Sequence, residues 1–322
     1  MYCNEEIETM GRRDIVELQT ARLKKTIKWA YEKSPFYQQK MNKMGLTDKS
    51  VNSLDDLCKL PLTTKNDLLA QSPYGFLTGP LSATIRLRMI DFECGSIARS
   101  YTNGDIARNI EMTARALVAG GVNMTSILQI LADHASESAL GIQYAGEVLG
   151  ATVVPESIDD FVRVLQKIDC LGITALAGNS QQLLKLLATT NAFTDNVELL
   201  SSHVGTIFLL NDSLKNNIDK HLIRRFGSQL FNIYAPAELG LTAVAFECNA
   251  HNHLHLQEDN FYVEIINLQN QQPVASGSVG ELVLTSLTLE SMPVIRYRTG
   301  QIVRLITEKC NCGRTLVRLQ AI

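Results

Sequence analysis

The stretch from Ser126-Ile-Leu-Gln-Ile-Leu131 to Ala151-Thr-Val-Val-Pro155 decides the fold, because it places a helix-like segment, Ala139 to Leu149, between two short apolar runs. The same alternation continues along the chain. The further strand-like runs are Ile173 to Ala177, Val204 to Leu210 and Gln229 to Ile233, and the helix-like segments between them are Ile158 to Ile168, Ser180 to Ala188 and Asp212 to Phe226. Short strands that alternate with helices of about ten residues are typical of parallel βαβ units. The sequence therefore predicts an α/β fold whose sheets are mainly parallel.

The segments on either side of this core have a different pattern. Before it, apolar residues between Thr9 and Lys33 recur at helical spacing, and Leu81 to Met89 alternates as a strand does. After Glu238, short strand-like runs are joined by tight turns, which predicts a β meander or a small distorted barrel. We expect three consecutive parts: a helical segment packed on the core at residues 1–80, α/β core subdomains at 81–238 and a β-rich subdomain at 239–322.

The composition is that of an ordinary globular protein, with 322 residues of which 45% are hydrophobic and 20% charged. A net charge of -3 offers no basic surface for nucleic acid or for anionic lipid. No apolar run reaches the roughly 18 residues of a membrane span, and the first residues are acidic. We therefore expect a cytoplasmic protein with neither nucleic acid nor membrane as a partner. Seven cysteines, an odd number in a long chain, indicate reduced thiols rather than a disulfide framework.

Four residues of the β-rich part have the pattern of a metal site. Cys248 and His255 flank a turn, and the later segment Cys310-Asn-Cys312-Gly313 forms a tight knuckle. Three thiolates and one imidazole suit tetrahedral zinc, and a set of four protein ligands is typical of a structural site. His253 shares a strand face with His255 and is the alternative fourth ligand. The other interpretation is that the histidines are solvated and the cysteines are free thiols.

Five blocks of sequence carry a resemblance to a known family. They are Ser34-Pro-Phe-Tyr37, Leu60-Pro-Leu-Thr-Thr-Lys65, Gly146-Glu-Val-Leu-Gly-Ala-Thr-Val-Val-Pro155, Gly280-Glu-Leu-Val-Leu-Thr285 and Met292-Pro-Val-Ile-Arg-Tyr-Arg-Thr299. Their order and spacing resemble those of the phenylacetate–CoA ligase family of adenylate-forming enzymes. The resemblance implies the N-terminal-domain fold of these enzymes and a reaction in which a carboxylic acid and ATP form an acyl-adenylate that coenzyme A attacks. It also implies a mobile C-terminal domain, which we expect to be absent because the chain stops where the hinge would begin.

The positions that serve ATP and magnesium in this family are only partly matched. The family's Tyr-Gly-x-Thr-Glu is Tyr234-Ala-Pro-Ala-Glu238 here, so the aromatic residue and the acid are kept, but Ala237 lacks the hydroxyl that bonds phosphate. Gln301 stands where the resemblance implies an acid for the ribose hydroxyls. The stretch Asp91-Phe-Glu-Cys-Gly-Ser96 replaces the phosphate loop and brings two acids. An acid about 4 Å from a phosphate costs about 1 to 4 kcal/mol.

These observations lead to two hypotheses for the function. In the first, the chain is a degenerate or repurposed member that does not ligate and that keeps its scaffold and zinc site for an acyl ligand or a protein partner. In the alternative, it is a divergent AMP-forming acyl or aryl acid–CoA ligase that a separate C-terminal domain completes, with ATP, magnesium and coenzyme A as cofactors. A homodimer is compatible with either, and the sequence does not identify the acid.

Overall fold

A computed structural model describes residues 1–133, 136–156, 160–193, 203–211, 213–214 and 227–322. Its helices are α1 Glu5–Glu8, α2 Arg12–Lys33, α3 Pro35–Asn42, α4 Lys65–Ala70, α5 Asn103–Ala119, α6 Glu137–Val148, α7 Phe161–Leu171 and α8 Ser180–Phe193. Its strands are β1 Arg86–Phe92, β2 Gly95–Tyr101, β3 Ile127–Leu131, β4 Thr152–Glu156, β5 Ala175–Gly178, β6 Thr206–Asn211, β7 Gln229–Tyr234, β8 Ala245–Glu247, β9 Leu254–Leu256, β10 Phe261–Ile266, β11 Val279–Ser286, β12 Tyr297–Ile306 and β13 Arg318–Ala321.

The first of two compact units holds Met1–Asn4, Asn109–Pro236 and Leu241–His255. In this unit β4, β3, β5, β6 and β7 are parallel neighbours in that order, and β8 pairs with β7 antiparallel. Helices α7 and α8 bury apolar side chains against β3, β5 and β6 in one core cluster, whose fully buried members include Val164, Leu186, Leu131, Leu176 and Ile207. The parallel order and the intervening helices confirm the predicted βαβ pattern.

Local sequence signals explain where the helices of this unit begin and end. The Ser136 hydroxyl accepts the amide N–H of Ala139 at 3.1 Å and caps α6. The Asp160 carboxylate accepts the amide N–H of Val162 at 3.0 Å and caps α7. Gly172 ends α7 in the left-handed region, with a φ of 62° that a residue with a Cβ adopts only at a cost.

The second unit holds Glu5–Arg108, Ala237–Gly240 and Leu256–Ile322. Strands β10, β11, β12 and β13 form an antiparallel ladder in chain order, and β1 and β2 form a separate two-stranded hairpin. The ladder confirms the predicted meander. Among the described strands β10 stands at a sheet edge.

Two arginines of the Met292–Thr299 block hold the second unit together. The guanidinium of Arg296 is buried, donates to Glu264 at 3.0 Å and donates to the backbone carbonyl of Cys58 at 2.9 Å. Arg298 donates to both carboxylate oxygens of Glu281, at 3.0 Å and 3.2 Å from its Nε. Burial raises the pKa of Glu264, while the neighbouring Arg296 lowers it and so opposes that effect.

The structure corrects or limits several element predictions. The helix expected from Thr9 to Lys33 is present as α2, but the strand expected at Leu81 to Met89 begins only at Arg86, because Leu81–Ala83 is a 3-10 turn. The helix predicted from Asp212 to Phe226 lies outside the described residues, apart from 213–214. The three consecutive parts predicted at 1–80, 81–238 and 239–322 stay a prediction.

All seven cysteines lie within the described residues, and none of them forms a disulfide. In the described part of the chain, no helix combines the length and the apolar character that crossing a membrane requires.

Candidate functional site

Glu238, the acid that the sequence assigns to a cation, lies in the 3-10 turn Ala237–Leu239 and faces a lysine. Its Oε1 is 3.0 Å from Nζ of Lys65, and the side chain of Glu238 is 16% exposed against 37% for Lys65. An ammonium at this distance offsets the negative charge of the carboxylate. The pair is therefore the main electrostatic feature at this position.

The start of α4 fixes the backbone of Lys65. Thr64 and Asp67 form a capping box, in which the Thr64 amide donates to the Asp67 carboxylate at 2.8 Å and the Asp67 amide donates to the Thr64 hydroxyl at 3.2 Å. Lys40 donates to Asp67 at 2.9 Å. Burial alone would raise the pKa of Asp67, but the hydrogen bonds from Lys40 and Thr64 hold it below its usual value. A charged Asp67 keeps the helix start, and with it Lys65, in place.

The stretch predicted to replace the phosphate loop is a tight hairpin turn rather than an open loop. Phe92 of β1 pairs with Gly95 of β2, so only Glu93 and Cys94 stand between the strands. The Ser96 hydroxyl donates to Asp91 at 2.5 Å and closes the neck of the turn. The ammonium of Lys65 is 3.6 Å from the centroid of the Phe92 ring. Lys65 thus contacts this hairpin through a cation–π interaction as well as Glu238 through its charge.

Tyr234 and Gln301 are held by strand pairing. Tyr234 ends β7, is fully buried, and pairs with Asn211 of β6 and Ala245 of β8. Gln301 lies within β12, where its amide N–H donates to the Thr299 hydroxyl at 3.2 Å. Both positions therefore have a defined backbone, and their side chains are set by the strands that carry them.

The four predicted metal-ligating residues come together. The ligand atoms of Cys248, His255, Cys310 and Cys312 all lie within 4.8 Å of one another, and the cluster contains His255 rather than His253. The side chains of Cys248, His255 and Cys310 are buried, and that of Cys312 is half-buried. A tetrahedral zinc ion with bonds of about 2.3 Å sets its ligands about 3.8 Å apart, so this spacing fits zinc after small side-chain shifts.

Tight turns place the cysteines of this cluster. Cys248 directly follows β8, and the His251 amide donates to the Cys248 carbonyl at 2.9 Å. In the later knuckle, the Gly313 amide donates to the Cys310 carbonyl at 2.9 Å, and Gly313 adopts a left-handed φ of 93°. A side chain at Gly313 would be strained in that conformation, which explains the glycine after the second cysteine.

A buried ion pair stands next to the knuckle. Nε of Arg314 is 2.6 Å from the carboxylate of Glu8, and the two side chains are 1% and 0% exposed. Burial would lower the pKa of Arg314, but Glu8 and the side chain of Cys312 raise it, so the guanidinium stays charged. The chain therefore keeps a fixed positive charge beside Cys312, one of the four predicted ligands.

Comparison with known proteins gives a consistent result. The chain is 30% identical to phenylacetate-coenzyme A ligase of Thermus thermophilus over 325 residues, which covers 99% of this chain and 72% of the relative. It is 31% identical to phenylacetate-coenzyme A ligase of Escherichia coli over 320 residues, with 98% and 72% coverage.

The chain belongs to the phenylacetate–coenzyme A ligase family. The predicted resemblance is thereby confirmed. A 2-hydroxyisobutyryl-CoA ligase crystallised with 2-HIB-AMP and CoA shares the fold with a TM-score of 0.90 at 21% identity, covering 99% of this chain and 69% of the other. The chain also matches a long-chain-fatty-acid–CoA ligase of Archaeoglobus fulgidus with a TM-score of 0.55 at 11% identity, covering 73% of this chain and 50% of the other. No model in a scan of protein families matches.

The sequence alone missed the part that Lys65 and Phe92 play at this site. Lys65 ends one of the blocks that carry the family resemblance, but no local pattern connects it with Glu238 much later in the chain. Phe92 is half-buried at the end of β1, and the sequence places it only within the stretch that replaces the phosphate loop. Only the folded structure shows that Lys65, at the start of a capped helix, contacts Glu238, which follows a core strand.

Proposed function

We propose that this chain is a member of the phenylacetate–coenzyme A ligase family that does not form acyl-adenylates, and that it holds one structural zinc ion. Its scaffold then serves to bind an acyl ligand or a protein partner. The observation that carries the first part is the two-residue turn at Glu93 and Cys94, which stands where the resemblance implies a phosphate loop. The contact of Lys65 with Glu238 at 3.0 Å adds to it. A carboxylate that an internal ammonium neutralises has little charge left to attract magnesium.

The surroundings of this pair support the same proposal. The short turn at Glu93 and Cys94 offers neither the length nor the hydroxyls to wrap a triphosphate, and Glu93 adds a negative charge. Ala237 and Gln301 lack the hydroxyl and the carboxylate that the family uses for phosphate and ribose. Each of these losses weakens ATP binding.

Calorimetric titration of the purified chain with ATP, with and without magnesium, tests this part. We expect no binding, or binding only at millimolar ATP, in both titrations. Micromolar binding that requires magnesium would overturn the proposal. The Glu238→Gln variant is the control, because binding through a magnesium ion at this carboxylate would be lost in that variant.

The zinc proposal rests on the donor set of three thiols and one imidazole, its burial and the spacing of its ligand atoms. When bound, such an ion contributes to folding free energy rather than to chemistry. Cys248, His255, Cys310 and Cys312 would hold it.

Elemental analysis of protein purified without a histidine tag tests the metal. We expect about one equivalent of zinc per chain, and less than about half an equivalent would contradict the site. Cys310→Ser should lose the ion, whereas Cys94→Ser, which removes an exposed thiol outside the cluster, should retain it. His255→Ala should lose the ion and His253→Ala should keep it, and the reverse result would reassign the fourth ligand.

A second function is favoured by one observation, the retention of Tyr234 and Glu238 at their family positions. In this alternative the chain is a divergent AMP-forming acid–CoA ligase, with ATP, magnesium and coenzyme A as cofactors. Carboxylate-dependent exchange of pyrophosphate into ATP, measured with phenylacetate and with a separately supplied C-terminal domain of a relative, tests it. Exchange above the rate of a Glu238→Gln control would establish this function in place of the first.

A further inference from the structure

A cavity of about 690 Å³ opens in the second unit, apart from the residues discussed above. Its walls are α2, the segment Leu77–Thr84, the first turns of α5 and the segment Leu287–Ser291. This volume lies in the range of cavities that bind small organic ligands, about 300 to 1,000 Å³. Nothing in the family resemblance assigns a ligand to this place.

The cavity is lined by an excess of positive charge. Its charged lining residues, all within the described part of the chain, are the cations Arg22, Lys25, Lys33 and Arg108 and the single acid Glu290. The carboxylate of Asp259, 3.7 Å from Arg22, offsets the charge of that arginine, so the excess rests on the other three cations. Positions 22, 25, 29 and 33 of α2 recur every three or four residues and so share one helix face. A concave surface with this charge excess attracts anions.

The third position of that helix face is Trp29, the only tryptophan in the chain. Its side chain is 42% exposed, and its indole N–H donates to the Glu290 carbonyl at 3.2 Å, which fixes the ring against the wall. Nζ of Lys33 is 6.0 Å from the ring centroid. An accessible aromatic ring between two lysines offers both a surface for stacking and charges for an acidic group.

The walls are held in place by hydrogen bonds, so the cavity does not depend on a ligand to form. Asp105 accepts the backbone N–H groups of Glu290 at 2.7 Å and of Ser291 at 3.1 Å. The Thr26 hydroxyl donates to the Leu287 carbonyl at 3.1 Å. The Thr102 hydroxyl donates to the Glu290 carboxylate at 2.7 Å, which holds the only lining acid against the wall.

The cavity is separate from the position of Lys65 and Phe92. Thr84 and Thr102 flank the open end of the β1–β2 hairpin, whereas Phe92 lies at its turn. Seven residues of strand span about 23 Å at about 3.3 Å per residue. A ligand in the cavity would therefore not overlap the Glu238 site.

We propose that this cavity is a binding site for a small aromatic anion, a carboxylate or a phosphate monoester, whose ring stacks on Trp29 and whose acidic group is bound by Lys25 and Lys33. The site is independent of the proposed loss of adenylation. It would serve equally well in a ligating or a non-ligating member of the family.

The single tryptophan makes the test direct. Benzoate and phenyl phosphate are titrated into the full chain while Trp29 fluorescence, excited at the red edge of its absorption band, is recorded, and benzyl alcohol serves as the neutral comparison. We expect saturable quenching by at least one anion and none by the alcohol. The anion that binds more tightly shows whether the site prefers a carboxylate or a phosphate monoester. Calorimetry of the same titrations detects binding that leaves the fluorescence unchanged.

Paired substitutions on one helix separate the site from general charge. The double variant K25Q/K33Q should weaken binding roughly tenfold, as the loss of two ion-pair contacts would. The control K24Q/K28Q removes the same charge from α2 at positions outside the cavity and should bind as the parent chain does. The proposal is overturned if both double variants weaken binding equally, or if K25Q/K33Q binds as the parent chain does. It is also overturned if benzyl alcohol binds as well as the anions, or if neither anion gives heat or quenching.

Discussion

Replacing Lys65 by methionine should create a divalent-cation site at Glu238. In the parent chain the ammonium is 3.0 Å from the carboxylate and 3.6 Å from the centre of the Phe92 ring. Methionine keeps the length and the apolar contact of the side chain with Phe92, but removes the charge. Glu238 would then be a half-buried acid without its nearest cation, which is the state in which the acid can attract a metal ion.

The size of the effect follows from the geometry. A divalent ion bound to Glu238 would stand about 5 Å from the position of Nζ, and two charges against one at that distance repel by about 1.7 kcal/mol in a medium as polar as water. Because the Lys65 side chain is 37% exposed and that of Glu238 16%, the value for water gives the smallest effect to expect. We therefore expect Lys65→Met to tighten cation binding at least roughly tenfold to twentyfold, since about 1.4 kcal/mol corresponds to a factor of ten.

Electron paramagnetic resonance of free Mn²⁺ measures this binding without ATP. The parent chain, Lys65→Met, Lys65→Arg and Lys65→Met combined with Glu238→Gln are titrated in parallel at low ionic strength. Lys65→Arg retains the charge and should bind as weakly as the parent chain. Adding Glu238→Gln should cancel the gain, because the carboxylate that binds the ion is then gone.

Three results would count against this reasoning. If Lys65→Met and the parent chain bind Mn²⁺ equally, the ammonium does not control the carboxylate. If the gain persists in the variant that also lacks the Glu238 carboxylate, the ion binds elsewhere. Strong Mn²⁺ binding by the parent chain itself would also count against the proposal that Lys65 excludes a metal ion.

Three further predictions concern the second and first units. Glu264→Gln leaves the buried guanidinium of Arg296 without its charge partner. This change should lower the free energy of unfolding, measured in urea, by about 3 kcal/mol. Adding Arg296→Met should recover part of the loss, because the unpaired charge is then removed. Burial raises the pKa of Asp105, so the folded chain binds this proton more tightly than the unfolded chain. The free energy of unfolding should therefore fall as pH rises from the unfolded pKa of 3.8 towards the raised folded pKa. In Asp105→Asn, thermal unfolding should show a weaker dependence of stability on pH over the same range. A Cβ at Gly280 would lie 2.4 Å from the Ile266 carbonyl of the neighbouring strand, so Gly280→Ala should destabilise by about 1 to 3 kcal/mol, while Gly205→Ala, whose nearest atom is 4.0 Å away, should be nearly neutral.

The α/β core could be predicted from the sequence because its signals are local. Short apolar runs such as Ile127–Leu131 are buried on both sides, and helices such as α7 carry their own cap and their own left-handed glycine stop. Strand β12 was not anticipated as an element, since Arg298, Gly300, Gln301 and Arg304 interrupt its apolar pattern. It becomes a strand through pairing with β11 and β13, which no local window contains.

The sequence predicts the residues of one candidate site better than those of the other. The cysteine and histidine cluster was named in full because its ligands have a donor chemistry that is rare elsewhere in the chain and sit in recognisable turns. The Lys65 contact could not be named, because lysines are frequent and their partners are set by tertiary structure. The cavity beside Trp29 was missed for the same reason, since two of its walls come from segments far apart in the chain.

The retained residues Tyr234 and Glu238 therefore do not argue for retained ligation by themselves. Tyr234 is fully buried at the end of a core strand with neighbours on both sides, so a large aromatic side chain is needed there whether or not a base stacks on it. Glu238 balances the charge of Lys65, so an acid is needed there whether or not magnesium binds. A residue with a structural role can be retained at its position even in a protein that does not use it for catalysis. For this reason the decisive measurements are those of ATP and metal binding.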